Sequence, residues 1–266
     1  MKKLLIILFL NIWVFPAFGE KVDVTIYVDD AYKPFSYKGK DGDAKGIYIN
    51  VLKKAFSRMD GYHVELKPIP WKRGKHIMEA GDGFGLAPAF YHGHDWPYLY
   101  PYSLPFYTET VTAVCSEEVL ATSRLNWPED YIGLRIGNVA GYDGWGGVEF
   151  RKLVKAGKIK YQEAKGSAEN ILKLGAGRVQ CIMMEDTAFD YAYGKLKLSG
   201  KYNERMARIR KGAIIGVDPV YIGYSKTARL KGTYPFQFDF MQAFDSEIYK
   251  MTKSGEIKKI MSEYGN

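Results

Sequence analysis

Cysteine is scarce in this 266-residue chain, with only Cys115 and Cys181 and no C-x-x-C pair. That scarcity argues against a thiol oxidoreductase and against a structural zinc site. Histidine is almost as rare, at four residues. With the scattered carboxylates these histidines form no recognisable set of nucleophile, base and orienting group. Beyond residue 19 no run approaches the length or apolarity of a transmembrane helix. There is no internal repeat and no low-complexity block, and the apolar and charged fractions are those of a globular protein. The basic residues are scattered without a long Lys/Arg run, so no nucleic-acid partner is expected.

What the chain does have is a marked beginning. Lys2 and Lys3 precede an apolar run from Leu4 to Phe15, broken only by Asn11, and Ala17 and Gly19 supply small residues before Glu20. This is the pattern of a secretory signal peptide over 1–19. The apolar run is about a dozen residues, short of the roughly 20 that a spanning helix needs. No cysteine stands at the expected cut, so no lipid attachment is indicated. The expected mature chain, 20–266, is periplasmic and not lipidated, away from ATP and nicotinamide cofactors. Lys2 and Lys3 are two of 38 basic residues and none of the 30 acidic ones precedes Glu20, so the net charge falls from +8 to +6. A solvated basic surface, with some bias toward anionic solutes, follows. In an oxidising compartment the two cysteines fit one disulfide, and their apolar surroundings (VTAVC and QCIMM) fit two buried thiols as well.

Aromatic residues are in excess: 21 tyrosines, with Trp71, Trp96, Trp127 and Trp145. Their density between Tyr91 and Tyr107 suits a cleft whose walls stack on a ligand. Val22, Val24, Ile26 and Val28 alternate as a half-buried strand, and a loop through YKPFSY follows. Val51, Leu52, Ala55, Phe56 and Met59 share a helical face; a strand over Tyr62–Leu66 and a helix over 72–80 come next. The succession predicts an α/β lobe. Further strands are expected at VTAVC, at 134–139, at QCIMM and at 221–224, with an apolar stretch at 213–217. Ser167 is placed to cap a helix, and two amphipathic helices close the chain.

In that order the parts resemble the bacterial extracellular solute-binding proteins of the polar amino-acid transporter type. The stretches that carry the resemblance are YKPFSYKGKDGDAKGIYINVLKKAF, SLPFYTETVTAVC, GLRIGNVAGYDG, SAENILKLGAGRVQCIMMED and KSGEIKKIMSEYG. The resemblance implies an α/β, two-lobed, class II periplasmic-binding-protein-like fold, with two mixed sheets flanked by helices and a two-strand hinge. It implies a discontinuous first lobe, 20–110 with 218–266, and a second lobe, 111–217.

The family's carboxylate-binding arginine lies six residues before the aromatic that opens an aromatic-Ser-x-x-aromatic run. With YSLPFY as that run and Tyr102 as its aromatic, the position is Trp96, and no arginine occurs from Met78 to Ser123. An aromatic does not replace a bidentate guanidinium, so an ordinary α-amino acid is an unexpected ligand. Arg73, following Trp71 at a helix start, is the substitute cation, against a solvated helix-terminal role; Trp71 fits a cleft wall or the core. Tyr32 is assigned to the cleft and Asp30 left open. Ala89 and Tyr91 match family positions that offer a carbonyl and a hydroxyl. The loop Gly141–Gly144 offers backbone N–H groups to an anion, with Tyr142 at a hydroxyl position, or is a plain turn. Glu185 matches the family's ammonium-binding acid, with Asp186 as the alternative. His92, His94 and Asp95 are metal-ligand types, but a ligand-contacting loop is the reading adopted, and no metal or cofactor is expected.

The function implied is capture of a small polar solute in an interlobe cleft by a monomer, for delivery to a membrane ABC permease, with no catalysis. The alternatives are a sensing module for a separate receptor and a periplasmic enzyme resembling cyclohexadienyl dehydratase, for which Glu185 and Arg73 are the only available pair.

Overall fold

The computed structural model describes residues 20–93, 95–142 and 144–263, so the expected signal segment, His94 and Asp143 lie outside the described residues. The strand β1 (Val22–Asp29) buries Val24, Ile26 and Val28 on one face, as its alternation dictates. The following loop contains β2 (Ala31–Tyr32), β3 (Ser36–Lys38) and β4 (Ala44–Lys45), a small antiparallel sheet. Strands of two or three residues are too short for alternation to reveal them. Helix α1 (Ile47–Phe56) starts after Gly46, whose φ of 124° and whose 2.3 Å approach of an added Cβ to the Phe35 carbonyl oxygen admit only glycine. Next come β5 (Tyr62–Ile69), α2 (Trp71–Ala80) and β6 (Gly85–Ala89); β5 and β6 flank β1 in parallel.

The chain continues through β7 (Leu99–Tyr102), β8 (Tyr107–Ser116), β9 (Arg135–Val139), α3 (Gly147–Lys155) and β10 (Lys160–Ala164). Then follow α4 (Ser167–Gly175), β11 (Cys181–Glu185), α5 (Asp186–Leu198) and β12 (Ile209–Ser225), and finally α6 (Lys226–Leu230), α7 (Gln237–Lys253) and α8 (Glu256–Ser262). Ser167 does not cap α4: Gly166 holds the cap position and Ser167 is the first helical residue.

The strands run in the order β10-β9-β11-β8-β12-β6-β1-β5, with β7 also on β12. One mixed sheet is built on β1, β5 and β6 and the other on β8 to β11, and β12 belongs to both. It lies antiparallel to β8 from Ile209 to Val220, then to β6 and β7 from Tyr221 onward. The two sheets expected from sequence are both present, and β12 joins them into one continuous strand path. The two segments read separately at 213–217 and 221–224 are a single strand: Gly216, Asp218 and Pro219 look like breakers, but pairing to β8 carries the strand through with register shifts between Lys211 and Gly216.

The closing helices return to the β1 sheet, where Phe240 and Phe244 meet Phe56 at 5.9 and 5.4 Å and Phe240 meets Tyr62 edge-on at 4.9 Å. Cys115 on β8 and Cys181 on β11 stand directly opposite one another and form a fully buried disulfide, which resolves the two readings of these cysteines. Among the described residues no helix is long and apolar enough to cross a membrane.

Candidate functional site

The carboxyl ends of β1 and β6 and the start of α2 meet on one side of a small cavity, where open α/β sheets place ligands. The loop joining β9 to α3 forms the other side. Asp29, Tyr32, Trp71, Pro88, Phe90, His92 and Trp96 line it from the first group, and Tyr142, Gly144 and Trp145 from the loop. The enclosed volume is about 10 Å³, room for one water molecule. Tyr142 stands edge-on to Tyr32 at 5.5 Å and to Trp145 at 5.1 Å, and Trp71 stands edge-on to Trp96 at 5.9 Å. The His92 ring packs on Trp96 at 4.6 Å and so close to Gly144 that a Cβ there would lie 2.5 Å from it.

One hydrogen bond spans the cavity. Tyr142 donates its hydroxyl to Asp29 Oδ2 at 2.6 Å, while Asp29 Oδ1 accepts from the Ala31 N–H at 2.8 Å. Burial pushes the Asp29 carboxyl up to about 7 against the opposing pull of these two bonds. At the rim, Lys75 donates to the Gly141 carbonyl at 2.9 Å, Lys72 pairs with Glu163 at 3.3 Å, and Arg151 pairs with Asp95. Such partly exposed pairs contribute little individually, but all three join the β1 side to the β9 side.

Behind the cavity wall lies a second acid. Glu109 on β8 is fully buried and accepts from Tyr32 and from Tyr48 of α1, each at 2.7 Å. Burial, with Glu185 adding repulsion, raises its carboxyl well above the usual range. Glu185, at the end of β11, caps α5 by accepting from the Ala188 N–H at 2.6 Å, and burial raises it to about 7. Burial is the largest effect on each of these three acids and neighbouring acids add to it, opposed by hydrogen bonds from tyrosine hydroxyls and backbone N–H groups. Asp29, Glu109 and Glu185 thus form an acidic interior held by tyrosine hydroxyls and backbone N–H groups.

The residues singled out in sequence divide. Tyr32, Trp71, Trp96 and Tyr142 line the cavity together, and Ala89 lies between two lining residues in β6. Arg73 and Tyr91 do not join them. Arg73 lies on the exposed face of α2, because Trp71 and Gly74 take the inward face. Tyr91 is 65% exposed and packs on Tyr102 at 5.4 Å. Glu185 is buried behind the lining, and its Oε2 is engaged as a helix cap. Asp186 pairs at 3.6 Å with Lys211, and Asp30 is partly buried beside the cavity without lining it. The Gly141 N–H is taken by Glu163 at 3.1 Å, which removes it from an anion nest. Asp95 is paired with Arg151, and among the described residues no group of His, Cys, Asp or Glu could hold a metal ion. Asp29, Glu109, Phe90 and Trp145 also belong to or adjoin the cavity, beyond the residues the sequence marks. Only Asp29, at a strand's carboxyl end, carried a positional signal.

No protein-family model matches the chain, and no curated protein sequence does. Solved structures do match over nearly its whole length. A chain of the glutathione import system formed by GshT and the cystine ABC importer TcyBC of Streptococcus mutans is similar with a TM-score of 0.72 at 18% identity, covering 92% of this chain and 95% of that one. A histidine kinase sensor domain with similarity to periplasmic binding proteins gives 0.70 at 12%, covering 91% and 96%. The ancestral amino-acid-binding protein that preceded cyclohexadienyl dehydratase gives 0.65 at 19%, covering 91% and 94%. The chain therefore has the two-lobed fold of the periplasmic amino-acid-binding proteins, and the resemblance seen in its sequence is carried as a shared fold.

Proposed function

We propose that this protein is an exported solute-binding protein that captures a small polar solute between two lobes and hands it to a membrane ABC permease. The observation that carries this is the cavity itself: aromatic, water-sized when closed, and bridged from both sides by hydrogen bonds and ion pairs that lobe separation would break. The lobes are 20–110 with 218–266, and 111–217, hinged on β8 and β12. The protein works as a monomer outside the cytoplasm after loss of residues 1–19. Elimination chemistry is disfavoured, since Arg73 is exposed and Glu185 is engaged as a cap, so the acid and clamp such a step needs are not brought together. Likeness to a kinase sensor domain supports a second reading, a sensor for a separate receptor; co-purification with a receptor ectodomain rather than a permease would select it.

The test is a thermal-shift screen over amines, amino acids, dicarboxylates and sugars, with small-angle scattering on the hits. A true ligand raises Tm by mass action, about 4 kcal/mol at a thousand times its Kd. Arg73→Ala and Tyr91→Ala leave its affinity unchanged, and Trp71→Ala weakens it at least tenfold. A screen in which no solute shifts Tm overturns the binding reading.

A further inference from the structure

The basic surface and the acidic interior point to opposite ligands, and the interior is what a bound solute meets. Among the described residues no Lys or Arg lines the cavity; its ionisable lining groups are Asp29, His92 and the two tyrosines. Lys75 is nearby, over the Trp96 ring at 5.1 Å, but it donates to the Gly141 carbonyl. Among the lining residues a solute carboxylate would therefore find no guanidinium or ammonium, and it would face Asp29 with Glu109 and Glu185 behind. A cation would find the reverse: a buried carboxylate and the faces of Trp71, Trp96, Tyr32 and Tyr142, the surroundings that stabilise desolvated ammonium groups.

A second, independent group speaks to the rest of the solute. Trp96 is 4% exposed and lines the cavity, and its Nε1–H meets no acceptor among the described residues. A buried indole donor without a partner costs stability unless a ligand supplies one. The acceptor that suits it is a neutral oxygen, because a carboxylate there would face Asp29 across the same small cavity once Asp29 is ionised on the ammonium.

We infer that the solute is a small protonated amine bearing a neutral oxygen acceptor (hydroxyl, ether or carbonyl) and no carboxylate, with its ammonium on Asp29 and its oxygen on Trp96 Nε1. The inference rests on the binding reading above. It also gives the Tyr142–Asp29 bond a meaning: the phenol donor holds the place that the ammonium takes, so the solute enters by separating that pair.

Calorimetric titration with three probes of one chain length tests this: 3-amino-1-propanol, propylamine and β-alanine. The amino alcohol is expected to bind at least about tenfold tighter than β-alanine, the loss of one charge-assisted contact being of that order. Asp29→Asn should weaken it by at least about tenfold. Trp96→Phe, which keeps the aromatic wall but removes the donor, should bring it down to the affinity of propylamine. β-Alanine binding as tightly as the amino alcohol overturns the inference and leaves the binding reading standing. So does the failure of all three probes where another solute from the screen binds. If no solute binds at all, both readings fall. Unchanged affinities in a folded Asp29→Asn and in Trp96→Phe would likewise overturn the assigned contacts.

Discussion

Tyr142 Oη and Asp29 Oδ2 lie 2.6 Å apart although 113 residues separate them in the chain. Tyr142 follows β9 in one sheet's half of the molecule and Asp29 ends β1 in the other, so this contact is a direct bond between the two halves at their buried meeting point.

Removing the donor should loosen that meeting. Tyr142→Phe leaves Asp29 buried with only backbone N–H groups, those of Ala31 and Tyr32, as partners, at a cost of about 1–3 kcal/mol. We expect a lower Tm by that amount and a larger radius of gyration in small-angle scattering. An unchanged radius would mean that the rim contacts of Lys72, Lys75 and Arg151 suffice to hold the molecule closed.

Stability should fall as pH rises through neutrality. Asp29 moves from 3.8 to about 7 and Glu185 from 4.5 to about 7 on folding, both through burial. Between those limits the native state holds more protons than the unfolded chain, so protonation favours folding. The native state is thus favoured below about pH 4, and the advantage is lost as pH climbs to about 7, with a slope of up to about 1.4 kcal/mol per pH unit for each acid. Chemical unfolding from pH 5 to 8 measures it, and Asp29→Asn should flatten the slope. A midpoint that rises over this range would contradict the assignment.

An amine bound to Asp29 would reverse that trend for binding. The carboxylate must be ionised to hold an ammonium, so affinity should increase from pH 5 to 8 and proton release should accompany binding. Asp30 and Tyr142 act on Asp29, and His92 is a further titratable group lining the same cavity. Equal affinity at pH 5 and 8 would place the amine elsewhere.

Glu109 should tolerate an amide better than a void. Glu109→Gln keeps the volume and one acceptor, and should cost about 1 kcal/mol. Glu109→Ala strands the hydroxyls of Tyr32 and Tyr48 beside a new cavity and should cost at least about 3 kcal/mol. Equal Tm losses in the two variants would show that the paired hydroxyls contribute little.

The disulfide joins residues 66 apart in sequence, inside the core. Replacing both cysteines by alanine should remove about 2–5 kcal/mol. Because neither sulfur is accessible, a mild reductant should leave the folded protein oxidised and act only as it unfolds, which thiol labelling with and without denaturant would reveal.

The fold was legible where burial and periodicity coincide, as in β1 with Val24, Ile26 and Val28, and in α7 with Phe240, Phe244 and Ile248. It was illegible where pairing overrides local signals. β10 buries only Ala164 fully and so shows no apolar face, and β12 runs through Gly216 and Pro219. The cavity was half legible. Aromatic density between Tyr91 and Tyr107 points to Trp96, the carboxyl end of β1 to Tyr32, the start of α2 to Trp71 and the resemblance to Tyr142, but the resemblance also asks for a cation, and its substitute Arg73 faces away from the cavity that Asp29 lines. Glu109 sits in YTETV, between Thr108 and Thr110 in an unbroken polar run that reads as exposed; only the tertiary fold turns it inward to Tyr32 and Tyr48.

The strand β12 has a practical corollary for anyone recombining such proteins. Since one stretch of 17 residues completes both sheets, any crossover point placed between Ile209 and Ser225 cuts through the scaffold of both halves at once. Chimeras that exchange the cavity-lining loop after β9 should therefore be spliced outside that stretch, where each sheet keeps its own edge.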